Sequence, residues 1–177
     1  MSLSDFYINM PMYNSIRRIS TSLTRPQDDS VYAAGDVVTD SSTAGTILTI
    51  TNPVTDQSGS AVIMNAFLVD SSAQALAGDF EVWLFNTSPT AINDNAAFAP
   101  TDAEMKTVEA VITFNSTAGT IYAGSGNRIY RTGTIEYPIS TAATDDDLYA
   151  IMVTRNAYVG VSGEQFTLVL NVKRDIR

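Results

Sequence analysis

Two stretches of this chain set carboxylates at spacings that can do chemistry. Asp79 and Glu81 stand two apart in GDFEVWLF, which alternates like a strand, so both side chains leave one face roughly 7 Å apart, as a glycosidase pair does. Any exposed strand face produces such a pair without catalysis. Asp145, Asp146 and Asp147 precede LYAIMV and offer oxygen to a hard cation such as calcium. Their spacing follows no EF-hand loop, and three consecutive aspartates more often form a solvated turn. Asp94, between Asn93 and Asn95, reads as turn chemistry, because Asx side chains hydrogen-bond the local backbone. Tyr122 to Asn127, YAGSGN, contains a GxG but neither a third glycine nor a following helix, and so reads as a loop rather than a phosphate cradle. Serines are plentiful, but none sits in a GxSxG elbow. A Ser-Lys pairing with Lys106 or Lys173 is the remaining nucleophile arrangement, and alternation puts Lys173 on the solvent side.

What is missing narrows the chemistry further. The chain has no histidine, so the usual general base and the commonest metal ligand are absent, and no cysteine, so thiolate sites and disulfides are excluded. These absences point away from enzyme activity, and no cofactor or metal is expected. The net charge of −9 argues against a nucleic-acid partner. The longest apolar runs, such as Ala61 to Met64 and Ala66 to Val69, fall far short of the roughly 20 residues of a membrane span. The first residues, MSLSDFYINMPMYNSIRR, carry no basic start followed by an apolar stretch, so synthesis in the cytoplasm is expected and the sequons at Asn86 and Asn115 read as chance matches.

The elements that must position these residues are strands. At 177 residues, 45% apolar and 16% charged, the chain is sized for one domain with a substantial core. From Val31 onward, β-branched and aromatic runs alternate with clusters of Gly, Ser, Thr, Asn, Asp and Pro, the pattern of an all-β sandwich. Expected strands cover 31–38, 46–51, 61–69, 78–85, 107–114, 129–139, 148–153 and 164–173. About eight antiparallel strands fit a jelly-roll-like β-sandwich. In the last strand Phe166, Leu168, Leu170 and Val172 share one face. One helical turn is expected at Thr101 to Lys106, where Thr101 and Glu104 form a capping box.

Residues 1–30 read as an extended N-terminal arm, with at most one edge strand at Ile16 to Leu23, ahead of a body at 31–177. Residues 1–27 carry three arginines against Asp5, a charge of +2, which leaves seven basic and eighteen acidic residues, or −11, for the rest. Tyr7, Met10, Met12 and Tyr13 are adaptable apolar contacts, and Arg17, Arg18 and Arg25 can pair with carboxylates of a partner. Trp83 and Phe85 share a strand face opposite Phe80 and Leu84, so either outer loops cover them or a partner does. The expected partner-binding set is therefore Tyr13, Arg17, Arg18, Arg25, Trp83 and Phe85. In the loop after Phe85, Pro89 stops the strand.

VYAAGDVV at 31–38, TILTITN at 46–52, FEVWLFNTSPTAINDNAAF at 80–98, DDDLYAIMVTRNAYV at 145–159 and SGEQFTLVLNV at 162–172 come in an order that resembles a family of small virion proteins of tailed bacteriophages, the capsid decoration or cement proteins. The resemblance covers the body and not the arm. It implies a jelly-roll-like sandwich that assembles as homotrimers on the outer capsid surface, reinforcing the lattice formed by the major capsid protein, and it carries no catalytic motif. The alternative is a carbohydrate-binding sandwich of a phage fibre or host-attachment protein, which needs exposed aromatic platforms. Trp83, Tyr122 and Tyr130 are the candidates for that role.

Overall fold

Alternation of apolar and polar residues turns nearly half of the described residues into antiparallel strands, and a computed structural model describes residues 16–72, 78–118, 120–122 and 126–174. The strands are β1 (Ile16–Thr24), β2 (Val31–Tyr32), β3 (Val37–Val38), β4 (Leu48–Ile50), β5 (Ser60–Asp70), β6 (Phe80–Phe85), β7 (Val108–Phe114), β8 (Thr120–Tyr122), β9 (Asn127–Arg131), β10 (Tyr137–Ser140), β11 (Leu148–Thr154), β12 (Tyr158–Val159) and β13 (Gln165–Arg174). One sheet runs β1-β13-β5-β9-β8, with β10 also on β5, and the other runs β3-β11-β6-β7, with β4 also on β11. The pairing is nested. The first long strand pairs with the last, β3 and β4 with β11, β5 with β9 and β10, and β6 with β7, as in a long hairpin folded into an antiparallel β-sandwich.

The two sheets face each other across one core. Ile19, Leu23, Ile63, Leu68, Phe166 and Leu170 of the first sheet meet Phe80, Val82, Leu84, Ile112, Phe114 and Met152 of the second. Each such side chain contributes about 1.5–3 kcal/mol by leaving water. In β5 the inward set slips from Ala61 and Ile63 to Ala66 and Leu68, and the register against β13 shifts at that point, between Asn171 and Val172. A bulge of this kind re-phases the side chains so that both halves of the strand reach the core.

Three expected boundaries move. The expected arm at 1–30 overlaps the body: Ile16–Thr24 pairs along its whole length with β13, and Ile19 and Leu23 are buried. The alternation in IRRISTSLT is that of a strand with one apolar side, and β13 supplies the ladder it needs. The expected strand at 129–139 breaks into β9 and β10 around Gly133 and Glu136, the latter at φ 51°. Likewise 31–38 divides into β2 and β3 at a turn containing Gly35, at φ 95°. The helical turn is present as α1 (Asp102–Met105), capped by Thr101 as expected. Glu104 N donates to Thr101 Oγ1 at 3.3 Å, and Thr101 N donates to Glu104 Oε2 at 2.7 Å.

Candidate interaction surface

The outer faces of the two sheets differ, and the loop after β6 is the reason. On the second sheet Phe85 and Ile151 point away from the core, yet both are buried, because the chain after β6 folds back across them. Phe98 of that loop packs on Trp83, ring centroids 5.0 Å apart, and Ile92 joins the same cluster. Glu104 pins the loop by accepting from Thr90 N at 2.6 Å. Backbone donors at Thr101 and Thr90 hold its carboxylate down at about 2. Trp83 and Phe85, expected to meet a partner, are therefore covered by their own chain: Phe85 is fully buried, and Trp83 is half-buried with its indole N–H on Glu81 at 3.1 Å.

The outer face of the first sheet is less completely covered among the described residues: Val169 is buried, while Phe67, Val69 and Ile129 are half-buried. Register places Ser20, Val169, Phe67 and Arg131 in one row, Ser22, Thr167, Val69 and Ile129 in the next, and Arg18 beside Asn171 and Asn65. Arg18, Phe67, Val69, Ile129 and Arg131 line a shallow hollow of about 200 Å³. The Arg131 guanidinium lies over the Phe67 ring, 5.9 Å from its centroid. The outward charges of these rows are all basic. Phe67 and Arg131, which complete the hollow with Arg18, escaped the sequence reading because only the register brings three strands together.

The predicted arginines part company. Arg17 and Arg18 are adjacent, so the pleat sends them to opposite faces. Arg17 donates to the Asn52 carbonyl at 3.1 Å, where Arg174 also donates, while Arg18 borders the hollow. Arg25, expected at a partner interface, is instead 2% exposed. It donates to the Tyr32 hydroxyl and to Val161 O at 3.0 Å, and it faces Glu164 at 3.8 Å and Asp28 at 3.3 Å. Burial works against its charge, but the Tyr32 hydrogen bond and the nearby Asp94 and Glu164 outweigh that and raise its pKa. Tyr32 in turn donates to Asp94 Oδ2 at 2.7 Å, and Tyr158 donates to Glu164 Oε1 at 2.5 Å. Asp94 is thus not a local turn cap: it is buried, ties its loop to Tyr32 and Thr39 N, and burial raises its pKa despite those donors. Tyr13 lies outside the described residues.

The carboxylate pairs are engaged in structure. Asp79 accepts from Ser116 N, and Glu81 pairs with Arg155 at 3.2 Å. The Asp145, Asp146 and Asp147 oxygens do lie within 4.8 Å of one another. Asp145 accepts from the Tyr149 hydroxyl and from Asp147 N at 3.0 Å, and Asp147 accepts from Asn52 N at 3.0 Å. These hydrogen bonds close the turn that launches β11. Of the aromatic platforms, Tyr130 is fully buried, Trp83 lies under Phe98, and the Tyr122 side chain is outside the description. The exposed aromatic beside a hollow is one not singled out from sequence, Tyr137, which with Asn115 and Thr132 borders a space of about 260 Å³.

Among the described residues, no helix is long and apolar enough to cross a membrane. No protein-family model matches the chain, and no curated protein matches it either.

Proposed function

We propose that the protein is a structural component of a bacteriophage virion, binding the outside of the head as a trimer and reinforcing the capsid lattice through noncovalent contacts with the major capsid protein. The observation that supports this is the difference between the two sheet faces. One is sealed by the chain's own loop, while the other keeps an apolar floor of Phe67, Val69 and Ile129 between Arg18 and Arg131. A sandwich that buries one outer face and, among the described residues, covers the other less completely suits laying that face against a partner. The wording of the strands and loops resembles that of capsid decoration proteins, which supports a shell as that partner. The role assigned is mechanical, without catalysis. The glycan-binding alternative loses two of its three expected platforms, Trp83 to its packing under Phe98 and Tyr130 to the core.

Electron cryomicroscopy of heads carrying and lacking the protein tests this reading. Added density on the outside of the shell, at points where capsid subunits meet, is the expected result. Heads with identical outer surfaces in the two preparations would sink it, as would density confined to the tail or its fibres.

A further inference from the structure

One corner of the first sheet concentrates positive charge in a chain whose net charge is −9. Pairing of Ile16 with Lys173 and of Arg17 with Val172 brings Arg17, Arg18, Lys173 and Arg174 together from opposite ends of the sequence. The pleat then divides them. Arg18 and Lys173 leave the outer side of the sheet, whereas Arg17 and Arg174 follow the buried Ile19 and Val172 and leave the inner side, where the core has run out. Both guanidiniums turn to one acceptor, the backbone carbonyl of Asn52: Arg17 Nη1 donates to it at 3.1 Å, and Arg174 Nη2 donates to it as well. Asn52 presents that carbonyl from a left-handed conformation, φ 52°, with its own N–H on Asp147 Oδ1 at 3.0 Å.

Two like charges meeting on a neutral oxygen repel each other. Burial first, and then the charge of Arg17, lower the pKa of Arg174. Among the described residues no carboxylate pairs with either guanidinium, so the Asn52 carbonyl gives them hydrogen bonds but no counter-charge. Each fork has five N–H donors and commits one of them to Asn52. Arg174 Nε is enclosed and has no hydrogen-bond partner among the described residues, an expensive state for a charged donor.

We propose that Arg17 and Arg174 form a binding site for a tetrahedral oxyanion of the phosphate class, held between the first and last long strands at the Asn52 turn. A carboxylate brings two oxygens and one charge, whereas a phosphate dianion has oxygens for both planar forks and charge for both cations. Arg17 and Asn52 are exposed, so the anion reaches the pair from solvent, and Arg18 and Lys173 across the sheet add to the attracting field. Bound there, the anion ties β1 to β13 and to the turn between β4 and β5. The site lies on the opposite side of the sheet from the Arg18–Phe67 hollow and is independent of the surface proposed for head binding.

Titration calorimetry of the full-length protein with sodium phosphate, in chloride of matched ionic strength, is expected to show one saturable site with Kd on the order of 1 mM. Melts in ~10 mM phosphate are then expected to lie about 3–6 °C above melts in matched chloride. Sulfate is expected to act like phosphate, and acetate to shift Tm by less than about 1 °C. Phosphate also stabilises proteins by exclusion from their surfaces, so the double variant Arg17→Gln, Arg174→Gln supplies the baseline. It is expected to fold, because glutamine keeps a donor for Asn52 and the like-charge contact is relieved, and to lose both the saturable heat and the phosphate shift. Arg18→Gln, on the other side of the sheet, is expected to keep both. Heats that do not saturate for the wild type overturn the proposal, whether or not the double variant folds. A phosphate shift of equal size in wild type and double variant overturns it too, as does an Arg18→Gln protein that loses the response as completely as the double variant, which would make the attraction a general field. A parallel titration with glycerol phosphate distinguishes the source: tighter binding than phosphate assigns the site to a phosphomonoester group, weaker binding to the free ion, and either upholds the site.

Discussion

Asp70, at the end of β5, is 2% exposed, lies opposite Arg128 of β9 and Phe166 of β13, and accepts from Ser72 N at 2.7 Å and from the Ser72 hydroxyl at 3.0 Å. Burial, and then the hydrogen bond and charge of the neighbouring Glu164, push its pKa up to about 8. Tyr158 and Tyr130 close the same pocket, and burial first, then nearby carboxylates, raise both phenols as well. An unfolded aspartate titrates near 3.9, so between about pH 4 and pH 8 the folded protein holds a proton that the unfolded chain has released. The stability this confers is complete below about pH 4 and is lost as pH rises through 8. Integrated between pH 6 and pH 8, the loss is about 2 kcal/mol, or roughly 4–9 °C in Tm for a domain of this size. Without histidine, no side chain has an ordinary pKa inside this window. Asp70→Asn keeps the shape and a donor toward Glu164 but cannot ionise. Thermal melts followed by circular dichroism are expected to show wild-type Tm falling across the window while the variant stays level to within about 2 °C. A wild-type Tm that holds steady or rises from pH 6 to pH 8, or a variant with the wild-type slope, would refute the assignment of the proton to this site.

Deleting residues 1–25 removes β1, its nine pairings with β13 and the buried Arg25, so calorimetry is expected to show no cooperative transition; a truncated chain that melts normally would mean β13 does not need this partner. Trp83→Ala removes the ring on which the covering loop packs and loses the Phe98 contact at 5.0 Å, which is expected to cost about 2–3 kcal/mol and speed proteolysis within residues 86–101; a loss under about 0.5 kcal/mol would contradict the seal. EDTA is expected to leave Tm unchanged to within about 1 °C, since the Asp145 and Asp147 oxygens already accept hydrogen bonds, and a drop of several degrees would make the triple aspartate a cation site.

Sequence alone determined most of the long strands and the all-β class, because the two-residue repeat of a pleated backbone is local. Phe166, Leu168, Leu170 and Val172 had to share a face whatever the rest of the chain did. The Thr101–Glu104 capping box was equally legible, since both its hydrogen bonds close within four residues. Period does not say which face lies inside, or what covers the other. Trp83 and Phe85 read as interface candidates until Phe98 was seen to return over them, a contact set by the path of a long loop. Arg25 read as a free cation because the groups that compensate its burial, Tyr32, Val161 and Glu164, lie up to 139 positions away. Arg17 and Arg18 read as a pair, but only the pairing of β1 with β13 shows which of them faces the hollow, and Phe67 and Arg131 join Arg18 through two further registers. Burying a charge or covering an aromatic requires partners brought from other strands, and those partners exist only once the sheets have closed.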